Sequence, residues 1–305
     1  MNPQPLPQFQ PPPTAPPRQY GEIFDRGYLH YDGPRLGIPA AIWALARYSM
    51  ARAIGIRRPW TAKIIPMLIY AAVLIPVLMA IGIKAFVPAF SFLTYGEYFG
   101  AIFILEGIFV ALIAPELVST DRHDRMLPLY FSRPIGRNAY VIAKLLAAGL
   151  LTLSISLLPV VIMWVGNGLL AADPAGAFRE GLDDLGRIAV AGVLIAFYLG
   201  AIGLAISSFT GRKSVAVGVI VLGFVISESL AAALGQALQD QPAVEKWVFI
   251  LSPARTIASM VNGLFPFNDS DVNEFAVPFS QAAGVMIGVI LLCSLVMFVR
   301  YNRHD

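Results

Sequence analysis

Six runs of about twenty consecutive, predominantly apolar residues cross this chain, at approximately 64–83, 99–118, 145–169, 188–209, 215–238 and 281–299. A helix rising about 1.5 Å per residue needs roughly 20 residues to cross a hydrocarbon core of about 30 Å, so each run is long enough to span a bilayer. A backbone exposed to lipid must satisfy its own hydrogen bonds, which makes each span a helix. Apolar residues make up 57% of the sequence and charged residues 13%, against about 45–50% and 25% in soluble domains. A soluble globular fold is excluded. The expected class is an all-α polytopic membrane protein with its six transmembrane helices in one domain over 64–300. Pro66, Pro76 and Pro159 fall in or near spans, where kinks are tolerated.

Orientation follows from the basic residues. Of the 22 Lys and Arg, seventeen fall on one side: eight before residue 64, five in the connection after the second span, then Arg212, Lys213, Arg300 and Arg303. The other side holds Lys84, Arg179, Arg187, Lys246 and Arg255. Both termini are therefore expected in the cytoplasm of a multi-pass cell-membrane protein, with 171–187 and 239–280 outside.

The first span begins only at Ile64, and nothing before it has the layout of a cleaved leader, so the chain is expected to keep its own start. Residues 1–35 read as a disordered cytoplasmic tail, rich in Pro and Gln over its first seventeen residues. Residues 36–63 read as an amphipathic helix in the cytoplasmic interface, with Ile42, Trp43, Ala46, Met50, Ala53 and Ile54 on one face and Arg52, Tyr48 and Ser49 on the rest. Trp43, Arg47, Met50 and Arg52 are its candidate interfacial residues. A helix packed on the protein's own cytoplasmic surface would show a similar pattern.

One cysteine, Cys293, leaves no intrachain disulfide, and His30, His123 and His304 have no metal-ligand spacing. The phosphate-cradling pattern Gly-x-x-x-x-Gly-Lys-Ser/Thr is absent; Gly211-Arg212-Lys213-Ser214 echoes only its end. No cofactor is expected on this chain, which is not read as an enzyme. Any ATP would be hydrolysed by a partner.

Between the second and third spans lies a charged segment. It opens with Pro115-Glu116, passes through Asp121-Arg122-His123-Asp124-Arg125 and Ser132-Arg133-Pro134 with Arg137, and closes on Lys144. With Leu251-Ser252-Pro253 farther on, it resembles permeases of the ABC-2, or type-2 exporter, class of ABC transporters. The resemblance covers residues 38–300 in architecture and about 40 of them in motif. It departs at Arg125-Met126-Leu127, where relatives often carry an acidic residue and Gly-Thr, and at Pro128, which interrupts a single helix.

The resemblance implies a permease subunit that dimerises, as homodimer or heterodimer, and binds two cytoplasmic ABC ATPase subunits carrying ATP and Mg. It would export or flip a hydrophobic or amphipathic substrate, with the lipid bilayer as its other partner and no nucleic acid. It further implies an ATPase-coupling loop made of Glu116, Asp121, Arg122, Asp124, Arg125, Met126, Leu127, Tyr130, Phe131, Arg133, Pro134 and Arg137. A short helix capped by Ser119 or Thr120 is expected from Asp121 to Leu127, with Met126, Leu127, Tyr130 and Phe131 as apolar anchors. A solvated charged turn that only fixes topology is the other reading.

Residues 247–251 and 257–264 read as short helices dipping into the outer leaflet, broken by Pro253 and Pro266. Glu106 and Glu228 fall inside spans, where a charge costs about 2.5–3.5 kcal/mol on insertion scales. They are expected to face the interior and to meet cargo or hydroxyls such as Ser227 and Ser229. A proton-driven secondary transporter using either acid is an alternative function, weakened by the lack of an internal repeat. A membrane scaffold without transport is another.

Overall fold

A computed structural model describes residues 37–56, 59–87, 93–131, 135–238, 240–241, 247–265 and 277–303. The tail at 1–35 and the coupling-loop residues Arg133 and Pro134 lie outside the described residues. Every regular element among them is helical: α1 Ile38–Ala53, α2 Thr61–Phe86, α3 Tyr95–His123, α4 Leu127–Phe131, α5 Arg137–Leu169, α6 Pro174–Glu180, α7 Leu182–Ser208, α8 Lys213–Ala237, a 3-10 turn Val248–Leu251, α9 Pro253–Leu264 and α10 Phe279–Arg303.

Six of these, α2, α3, α5, α7, α8 and α10, are long and apolar enough to cross a membrane. They run alternately up and down. One end of the bundle carries α1, α4, the start of α8 and the last turn of α10; the opposite end carries α6, the 3-10 turn and α9.

The layering follows from where small and large residues fall. α3, α5 and α7 pack on one another; α2 lies against α5 and α3, α8 against α3 and α7, and α10 against α7. Of the apolar stretch of α3 and of α7, 67% is buried, against 17% in α8 and 22% in α10, so the first pair is central and the second peripheral. Lipid is as apolar as leucine and drives no helix association, so close packing must hold the centre together. Gly203 of α7 supplies it: a Cβ there would overlap the Val110 side chain and come within 3.0 Å of the Ala114 Cβ, both on α3. At Gly200 a Cβ would lie 3.4 Å from the backbone of Ala148 and Gly149 on α5. Phe99, Ile102, Phe109, Ile113 and Leu117 of α3, Ile155 of α5 and Ile188, Ile195 and Leu199 of α7 fill the remaining core. Leu68 and Leu78 on α2, Leu222 and Ile226 on α8, and Leu291 and Leu295 on α10 face outward. In a bilayer that outward apolar surface is solvated by acyl chains.

Three local expectations change. α3 does not stop near Val118 but continues as helix to His123, so Asp121 belongs to a long helix, and Ser119 is not a cap: its hydroxyl donates to the Ser207 carbonyl at 3.1 Å. The short helix after it is Leu127–Phe131, separated by Arg125 at φ 53°. A left-handed residue ends a helix, and this one splits the expected 121–127 segment. Pro253 does separate the two expected short helices, but the second starts at Pro253 itself rather than at 257, with the proline in the first turn of α9, where a missing N–H costs nothing.

Candidate functional site

Ion pairing concentrates at the end of the bundle bearing α1. Asp121, fully buried on the last turn of α3, faces Arg52 Nη2 of α1 through Oδ1 at 2.7 Å and Lys144 Nζ of α5 through Oδ2 at 2.7 Å. Tyr140 of α5 donates its hydroxyl to Oδ2 at 3.0 Å, and Lys144 donates to Ser49 Oγ of α1 at 2.9 Å. Arg52 also donates to the Glu116 carbonyl at 2.9 Å. Removing such charges from water costs several kcal/mol per ion, so the cluster holds only because the Asp121 carboxylate is paired with two cations. Burial works against the Arg52 charge, but Asp121, with Tyr130 and Glu116 behind it, outweighs burial and raises the guanidinium pKa above its ordinary value. Burial, then Asp121, also raises the Tyr130 hydroxyl.

The cluster explains how α1 sits. Its buried face is Leu45, Ala46 and Ser49, packed on α5 and α3, with Met50 and Arg52 half-buried beside it. Trp43, expected on the same face as Ala46 and Met50, is 53% exposed, and Arg47 is exposed. Small residues allow close approach to α5, and Ser49 receives Lys144; the wheel of apolar residues favoured Trp43 because it scored hydrophobicity alone.

Further contacts spread outward from the cluster. Lys213 Nζ at the start of α8 meets Glu116 Oε2 at 2.6 Å. The last carbonyls of α7, which no helical N–H can satisfy, accept from three side chains: Ser119 at Ser207, and Arg122 and Arg300 at Ser208, the latter at 2.7 Å through Nε. Cations at a helix C-terminus also complement its dipole. Arg137 donates to the Asn302 carbonyl at 3.1 Å, and the Tyr140 ring lies 5.3 Å from Tyr301 and 5.8 Å from Tyr130. Side chains of α3 thus tie α1, α5, α7 and α8 at one level.

The expected coupling residues divide by burial. His123, Asp124 and Arg125 are exposed, Asp121 and Glu116 are buried, Arg122 and Met126 are half-buried, and Leu127 and Tyr130 are half-buried against the core; Phe131 ends α4. The intramembrane acids also separate. Glu106 is buried and accepts from Ser156 of α5, while among the described residues its Oε2 meets no hydrogen-bond donor. Glu228 does not use Ser227 or Ser229, which bond back to the Phe224 and Val225 carbonyls at 2.9 Å each. It bonds instead to Ser252 Oγ at 2.5 Å and Arg255 Nε at 3.0 Å.

Sequence reasoning left Ser49, Lys144, Ser207, Ser208, Lys213 and Arg300 out of the site. Lys144 carried a signal: a lysine one and two turns beyond Tyr140 and Arg137 on an apolar helix needs a buried partner.

The described chain is thus a bundle of six helices long and apolar enough to span a membrane, with a surface helix locked to its second and third spans and an exposed charged turn beside that lock. The family model described as ABC-2 family transporter protein matches residues 43–305, and the chain belongs to that family. It is a membrane transport subunit, not itself the ATPase, and membership implies association with an ABC ATPase subunit. No match was found among curated proteins.

Proposed function

We propose that this chain forms, with a second permease chain, the membrane path of an ABC exporter that moves a hydrophobic or amphipathic substrate, driven by ATP and Mg held on two separate ATPase subunits. The ATPase docks at the α3–α5 connection, which places the α1 end and both termini in the cytoplasm. The supporting observation is the adjacency of exposed His123, Asp124 and Arg125 to Asp121, whose pairs with Arg52 and Lys144 bind α3 to α1 and α5. Arg122 extends the tie to α7 through Ser208. A displacement applied to the exposed turn reaches four helices within one helical turn of chain. The exposed Ile38, Trp43 and Tyr48 suit α1 to the headgroup region.

The test is the pair Asp124→Lys with Arg125→Glu in the full chain, purified with its ATPase from the native membrane. Recruitment should fall at least about ten-fold, the weight of losing one or two complementary charge pairs, while insertion and thermal midpoint are unchanged. Undiminished recruitment and ATP-driven transport would remove the docking assignment.

A further inference from the structure

A second feature of the same end lies on its lipid side. α7, α8 and α10 enclose a groove of about 500 Å³ whose walls include Ile206, Phe209, Val215, Val219, Leu292 and Val296. Phe209, Val215, Val219 and Leu292 are exposed there. Leu292, Val296 and Arg300 are successive i, i+4 positions and so share one stripe of α10. Eight residues at 1.5 Å each carry that stripe about 12 Å along the helix, close to the depth of one leaflet of a ~30 Å core.

The groove's mouth is cationic. Arg300 stacks on the Phe209 ring, 4.5 Å from its centroid, and its Nε is taken by the Ser208 carbonyl. Among the described residues nothing accepts from its two terminal nitrogens. Arg122 donates to the same carbonyl, and exposed Arg212 follows Thr210, another groove residue. The nearby carboxylate, Glu116, is engaged by Lys213.

We propose that this groove is a binding site for an anionic phospholipid, one acyl chain lying along Val219, Leu292 and Val296 and the phosphate held by Arg300 with Arg212. The argument is complementarity. An apolar channel about one leaflet deep fits an acyl chain, and a guanidinium fork preset by an aromatic ring and a carbonyl fits a phosphate. Neither half alone separates this site from ordinary lipid contact; their alignment on one stripe of α10 does. Occupancy would brace α8 and α10, the two least buried spans, against the end of α7.

The test uses the full chain, delipidated in detergent and titrated with phosphatidylglycerol or phosphatidylcholine of the same chains, with adducts counted by native mass spectrometry. Phosphatidylglycerol should bind about ten-fold tighter, and Arg212→Gln should cut that preference about five-fold, as expected for one cation near a headgroup. Val219→Trp, which fills the groove, should abolish the adduct. Cys293, the chain's one cysteine, is on the groove wall, so phosphatidylglycerol should slow its alkylation. Arg212 is exposed, and among the described residues its side chain makes no hydrogen bond or ion pair, so its variant keeps the test open should Arg300→Gln misfold. Equal binding of the two lipids, an unchanged adduct in Val219→Trp, or Cys293–Cys293 cross-linking that shows a second copy seated in the groove would each overturn the proposal.

Discussion

Asp121 meets two cations from two other helices while fully buried, so its loss would strand both charges. Asp121→Ala is expected to destabilise the protein by about 3–5 kcal/mol, the range for breaking a buried ion pair from one side, read as a fall in thermal midpoint in detergent. Adding Lys144→Met to that variant should recover part of the loss, because one stranded cation is removed; a further fall would show that Lys144 is held by something other than Asp121. Glu106→Gln keeps volume and can still accept from Ser156 through its amide oxygen. The variant is expected to fold and to support partner-dependent ATPase activity and transport. Transport abolished with ATPase activity intact would instead favour a proton or cargo role for this acid. Glu228→Gln keeps volume and can still accept from Ser252 through its amide oxygen, so this variant too is expected to fold.

Among the elements, the α3–α4 junction separates folding from coupling. The apolar pair Met126 and Leu127 is half-buried, and Leu127 packs on the core, so the sequence-level idea of the pair as docking anchors fits Leu127 poorly. Leu127→Asp should destabilise the bundle, since a carboxylate there would have to be buried without a partner. Arg125 holds φ 53°, a conformation that costs a side-chain-bearing residue roughly 1–2 kcal/mol and glycine almost nothing. Arg125→Gly should therefore raise the thermal midpoint while weakening ATPase recruitment, opposite signs that a purely structural turn would not produce. The spans were legible because hydropathy is a local property: all six were found in sequence, within a few residues except where α3 and α5 extend farther at the α1 end and α7 starts earlier, at Leu182, at the other. The α1 register and the extension of α3 were not. Ser49 and Lys144 are 95 positions apart, as the residues of that contact must be when they belong to different helices, and no window of apolar periodicity registers such a pair. The exposed turn at 123–125 was legible as charge, and its boundary with the buried cluster was not.

For the whole molecule, orientation carries the coupling assignment, because an ATPase can act on the α3–α5 connection only from the cytoplasm. Seventeen of 22 basic residues belong to the α1 side by sequence, and the positive-inside rule places such a side in the cytoplasm. The structure puts several of them, Arg52, Arg122, Lys144, Lys213 and Arg300, into one network at that end, where they are fixed to helix ends and cannot redistribute across the bilayer. The prediction is tested with single cysteines in a Cys293→Ser background, one at exposed Asp124 and one at exposed Asp173 before α6. In intact cells an impermeant maleimide should label the cysteine at 173 at once and the cysteine at 124 only after permeabilisation. Both substituted positions are surface polar residues outside the buried clusters, so each variant should fold and insert as the parent does. Labelling of position 124 from outside would invert the topology, and the docking surface, together with the proposed direction of drive, would have to move to the end that carries α6 and α9.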